Sequence, residues 1–196
     1  MAKAIHKSSI KQLEKMPYSI AREQLSTGDI VFCSGNYLFS GIIRKLTNSV
    51  WSHVAVVYKD EQLGRVLLME AEPSVGIRLI PLSNYLKNYH GTNRPYKGNL
   101  VVCKITDLNE GLSIGDGISF GLDALTKPYD NWEIFRIMIR ILFKISKRER
   151  NRSYICSELV RDILAKSGLR ISYQDTYISP DHIYTNKHLT LHCRLL

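Results

Sequence analysis

The chain has 196 residues, 44% hydrophobic and 23% charged, which is ample for a packed core and excludes a disordered or fibrous protein. No uncharged apolar run reaches the roughly 18 residues a membrane span needs, and residues 1–16 lack the apolar stretch of a secretory signal, so a cytoplasmic chain is expected. The net charge of +9 is concentrated: residues 1–22 carry five cations against Glu14, residues 136–152 carry seven against Glu149, and the rest is nearly neutral.

In chain order, residues 7–22 predict an amphipathic helix with Ile10, Leu13 and Met16 on one side and a break at Pro17. A polar turn at residues 26–29 leads into a strand at 30–33, and residues 37–48 predict a short helix. Residues 53–58 are a β-branched strand, residues 59–64 a polar turn, and residues 66–71 its hairpin partner. Strands are expected at 76–80 and 100–105, with a short helix from Pro81 to about Tyr89 between them. Helices are expected at 112–126, at 132–147 and at 156–167, the last stopped by Gly168, and residues 188–196 predict a closing strand. Strands cluster early and helices late, so the class is α+β with a mainly antiparallel sheet. The basic residues 1–24 are read as a helical extension, and residues 25–196 as a single domain.

Four cysteines, Cys33, Cys103, Cys156 and Cys193, form no Cys-x-x-Cys pair and fit no zinc template. Cys33 and Cys103 lie in apolar strand runs and are expected as buried thiols. Cys156 differs. It opens a helix, with Ser153 as the expected N-cap, and Leu159, Val160 and Ile163 share its face. The positive end of a helix favours thiolate over thiol, which a nucleophile requires; the competing reading is an ordinary buried cysteine.

His53 shares a strand face with Ala55 and Val57, leaving room for a partner side chain. On the next strand, Val66, Leu68, Glu70 and Glu72 share one face. A carboxylate there must be paired to be buried, and a neighbouring histidine would pair it. Periodicity does not separate Glu70 from Glu72.

The segments Gly28-Asp29-Ile30-Val31-Phe32, Thr47 to His53, Met69-Glu70-Ala71 and Val75-Gly76-Ile77 resemble the permuted NlpC-type enzymes, in particular the YiiX/YebB-like group. The resemblance continues through Tyr129-Asp130, Tyr154 to Val160 and Ser179-Pro180-Asp181. It implies a circularly permuted papain-like fold, with the histidine strand ahead of the cysteine helix. It also implies Cys156 as nucleophile, His53 as general base and acid, and Glu70 as the residue orienting His53. The expected reaction is cleavage of an amide through a thioester. Tyr129 and Tyr154 are candidate substrate-lining residues.

Arg136, Arg140, Lys144 and Arg148 recur at four-residue spacing among apolar residues and form a basic stripe, a candidate docking face for an anionic membrane surface or other polyanion. Relatives resembling lecithin–retinol acyltransferase share the His-before-Cys order, so acyl transfer or thioester hydrolysis is a second reading. An inactive polyanion-binding module is a third. No cofactor and no metal site are expected; Gly111, Gly115, Gly117 and Gly121 match no nucleotide motif, and sequence-specific nucleic-acid binding is not expected.

Overall fold

The computed structural model describes residues 7–72, 75–106, 112–125, 156–171 and 178–196. Six strands form one sheet: β1 (Ile30–Gly35), β2 (His53–Asp60), β3 (Arg65–Glu72), β4 (Gly76–Pro81), β5 (Gly98–Ile105) and β6 (Leu189–Arg194). Their order is β4-β3-β2-β1-β5-β6, and every pairing is antiparallel. β1 lies inside the sheet and is buried along its whole length, which explains its run of consecutive apolar residues. The described helices are α1 (Lys7–Gln12), α2 (Tyr18–Gln24), α3 (Leu38–Leu46), α4 (Leu82–Lys87), α5 (Ile114–Asp123), α6 (Cys156–Lys166) and α7 (Pro180–Tyr184).

Alternation along the strands separates two cores. Ile30, Phe32, Val54, Val56, Met69 and Ala71 belong to the core that also holds Ile118 of α5, Leu159, Val160 and Ile163 of α6, and Ile183 of α7. Val31, Cys33, Ala55, Val57 and Leu68 belong to the other core, with Ala21 of α2 and Leu82 and Tyr85 of α4. Helices therefore cover both faces of the sheet. The class is α+β with an antiparallel sheet, as the strand and helix pattern predicts.

The helix expected over residues 7–22 is split earlier than Pro17: α1 ends at Gln12, Lys15 pairs with Arg194 in an isolated bridge, and Pro17 caps the start of α2. The segment packs on the sheet: Ile10 is fully buried, and the Met16 N–H donates to the Arg194 carbonyl at 2.8 Å. α6 ends at Lys166, with Gly168 at φ +95°, a left-handed conformation that suits glycine after a helix. Two of the glycines between 111 and 121 have a packing role. A Cβ on Gly117 would collide with the Ile163 carbonyl oxygen and Ser167 Oγ, and one on Gly121 with the Met69 sulfur, so these positions let α5 approach α6 and β3. The predicted helix at 132–147, with its basic stripe, lies outside the described residues. Among the described residues, no helix is long and apolar enough to cross a membrane.

Candidate active site

His53 opens β2 and is paired across the ladder with Cys33 of β1. Its position is set from behind by Ser52, whose Oγ donates to the Cys33 carbonyl at 3.2 Å and accepts from Gly35 N–H at 3.0 Å. Cys156 opens α6, which packs across β2 and β3. The buried residues Leu159, Val160 and Ile163 hold that helix on the sheet, while Cys156 itself stays partly exposed.

The segment after α6 ties the two sides together. Ser157 Oγ donates to the Ile178 carbonyl at 2.6 Å, and Ser179 caps α7 in a reciprocal capping box with His182. Asp181 then accepts a hydrogen bond from Ser49 Oγ at 3.3 Å, and Ser49 Oγ accepts from Trp51 N–H at 3.0 Å. Ile178 thus anchors the first turn of the cysteine helix, and Asp181, three residues on, the loop entering the histidine strand.

His53 stands between Glu70 and Cys156: its Nε2 lies 2.7 Å from Glu70 Oε2, and the Cys156 side chain is near enough to act on its ring. A carboxylate only accepts, so Nε2 carries a hydrogen and Nδ1 is left for the sulfur. Glu70 is completely buried and takes four donated hydrogen bonds. Oε1 receives Arg78 Nε at 2.9 Å and Arg78 Nη2 at 2.8 Å, while Oε2 receives His53 Nε2 and, at 2.6 Å, the Tyr85 hydroxyl. The carboxylate that accepts from His53 is therefore that of Glu70, the alternative that residue spacing left open against Glu72.

The electrostatics follow from these contacts. Burial pushes the Glu70 carboxyl up, but the hydrogen bond and charge of His53, then Arg78 and Tyr85, outweigh it and hold the group at about 2. Burial pulls His53 down, yet the charge and hydrogen bond of Cys156, followed by those of Glu70, raise it to about 10. Burial first, then Glu70, lifts the Tyr85 hydroxyl well above its ordinary value, so it remains a donor. Cys33, Cys103 and Cys193 are buried, and burial raises all three thiols.

Arg78 and Tyr85 were not foreseen. Arg78 had a signal: it interrupts the apolar run Gly-Ile-Arg-Leu-Ile as Glu70 interrupts its own, and opposite charges within neighbouring apolar strands invite pairing. Tyr85 had none, since a tyrosine on a short helix is ordinarily packing. Tyr129 and Tyr154, the Ser153 cap, and Arg136, Arg140, Lys144 and Arg148 lie outside the described residues. Among the described residues, no group of three or more His, Cys, Asp or Glu side chains is placed to hold a metal ion.

In this chain an antiparallel sheet carries the histidine strand ahead of the helix that holds Cys156. Residues 24–188 match the family described as permuted papain-like amidase, YaeF/YiiX, Peptidase C92, and the chain belongs to this family. The fold is shared with the crystal structure of the metalloprotein YiiX from Escherichia coli O157:H7. That match has 20% sequence identity and a TM-score of 0.60, and it covers 87% of this chain and 97% of that one. No curated protein matches the sequence.

Proposed function

We propose that the protein hydrolyses an amide bond, in a peptide or similar acyl compound, through a thioester on Cys156, with His53 moving the proton and Glu70 orienting His53. The observation that carries this reading is the imidazole set between a buried carboxylate, 2.7 Å from its Nε2, and the side chain of Cys156, which acts on the ring from the other side. A protonated imidazole beside a sulfur favours the thiolate.

The thiolate attacks the carbonyl carbon, forming the S–C bond. As the resulting oxyanion collapses, the C–N bond breaks and His53 Nδ1–H protonates the departing amine. The sulfur is then acylated and uncharged, which removes the two largest influences that raise the proton affinity of His53. The imidazole, now neutral, takes a proton from water as the water oxygen bonds to the acyl carbon. The C–S bond breaks, the acid departs, and the thiolate–imidazolium pair is restored. Backbone N–H groups at the start of α6 are suited to hold the oxyanion. Nothing among the described residues favours a lipid acceptor over water.

The test is labelling of the full chain by iodoacetamide across pH, read by mass spectrometry, alongside Cys156→Ala and His53→Ala. One thiol of the four is expected to react in the folded protein, because the other three are buried. The reaction should disappear in Cys156→Ala and slow to the rate of free cysteine in His53→Ala. A Cys156 that reacts no faster than free cysteine near neutral pH refutes the reading.

A further inference from the structure

Arg78 is the direct cross-strand partner of Glu70 in the β3–β4 ladder. It places both Nε and Nη2 on one carboxylate oxygen, Oε1, and leaves Oε2 to His53 and Tyr85. The two oxygens have different tasks, one serving the guanidinium and the other the imidazole. The groups acting on the His53–Glu70 pair and on Arg78 are Cys156 from α6, Cys33 from β1, Tyr85 from α4, Tyr89 just after α4, and Glu72 from β3, besides Arg78 itself. Arg78 is the permanent cation in this set.

We propose that Arg78 is a positioning residue for the hydrolytic step: it fixes the Glu70 carboxylate and cancels its charge at His53, so that the imidazole releases its proton once the sulfur is acylated. The inference rests on the roles given above to Cys156, His53 and Glu70. In the resting site, thiolate, imidazolium, carboxylate and guanidinium sum to zero. In the acyl-enzyme with neutral imidazole, carboxylate and guanidinium again sum to zero. Without the guanidinium, both states carry a net negative charge in a water-poor site, and the imidazolium keeps its proton against the unbalanced carboxylate. A protonated imidazole cannot accept a proton from water, so the acyl group would form but be released slowly.

The test blocks the thiol and titrates the histidine. Alkylating Cys156 of the full chain with iodoacetamide removes the charge of the sulfur, and the His53 ring is then followed by NMR against pH. The wild-type midpoint is expected within about 1.5 units of the ordinary histidine value near 6.5. A higher midpoint overturns the inference, because Glu70 then acts uncancelled. Arg78→Gln should raise the midpoint by about one unit or more. Arg78→Lys keeps the charge without the paired geometry and should stay nearer to wild type than Arg78→Gln does. Equal midpoints in wild type and Arg78→Gln, or equal shifts in the two variants, overturn the inference. If Arg78→Gln does not fold, the wild-type and Arg78→Lys titrations decide the matter. Alkylation of Cys156 no faster than that of free cysteine refutes the catalytic reading underneath, a failure visible before any titration.

Discussion

Replacing Glu70 by glutamine keeps the shape of the side chain and removes its charge. The four hydrogen bonds to Glu70 all have the carboxylate as acceptor, and glutamine offers one acceptor oxygen and one donor nitrogen. Turning the amide nitrogen toward Arg78 would set it against two N–H donors that cannot adapt. It must therefore face Tyr85, whose hydroxyl can rotate to accept, and His53, whose Nε2 can accept only if the ring proton moves to Nδ1. That is the wrong tautomer for taking a proton from the thiol. Arg78 meanwhile loses its counter-charge. Breaking a buried ion pair by removing one partner costs about 3–5 kcal/mol, and the 18% exposure of the Arg78 side chain points to the lower end, about 3 kcal/mol. For a chain of this size that lowers the unfolding midpoint by about 6–12 °C. Glu72→Gln, by contrast, should cost about 1 kcal/mol or less. The assay is thermal unfolding by circular dichroism together with the rate of iodoacetamide alkylation near neutral pH. Glu70→Gln is expected to melt early and to react like free cysteine, and Glu72→Gln to do neither. A Glu70→Gln protein that melts with wild type and keeps its alkylation rate refutes the argument.

Stability should fall on both sides of a mildly acidic plateau. Glu70 is held at about 2, so its contribution is present above the ordinary carboxyl range and is lost as pH drops from about 4.5 toward 2. His53 is raised to about 10, so its contribution is full below about 6.5 and is lost as pH climbs toward 10. A melting series across pH should show both slopes, and His53→Gln should flatten the alkaline one; an unchanged alkaline slope in that variant contradicts the assignment. Two of the three glycines of α5, Gly115 and Gly117, should respond with opposite signs. Gly117→Ala drives a Cβ into the Ile163 carbonyl, a backbone atom that no rotamer change can move, and should destabilise by about 1–3 kcal/mol. Gly115→Ala meets only Ser113 Oγ at 3.8 Å and should stabilise by up to about 1 kcal/mol through helix propensity. Melting points that move in the same direction refute the packing role given to Gly117.

The strands and the start of the cysteine helix were legible because each is a local pattern. Residues 53–58 are β-branched and alternate, and Cys156, Leu159, Val160 and Ile163 share one helical face. The coverage of both sheet faces by helices was less legible. It depends on which short helix, α2 or α4, returns to which side, and neither carries a long enough pattern to say. The anchoring role of Asp181 was also hidden, because it joins positions more than a hundred residues apart through side-chain oxygens.

The choice between Glu70 and Glu72 shows where spacing stops and pairing begins. Both carboxylates lie on one strand face, two residues apart. The β2–β3 register runs from Asp60↔Arg65 to Val56↔Met69, and continuing it would set Glu72, not Glu70, opposite His53. Proximity across that ladder would therefore favour the wrong residue. The other neighbour of β3 reverses the choice. In β4, Glu70 faces Arg78, whereas Glu72 faces Gly76, which has no side chain to offer. A carboxylate can be fully buried only where its charge is answered, so the buried acid is the one with a guanidinium beside it. His53 then reaches diagonally to that acid. The residue that selects the partner of the histidine lies on a strand that does not touch β2, and only the order β4-β3-β2 brings the three together.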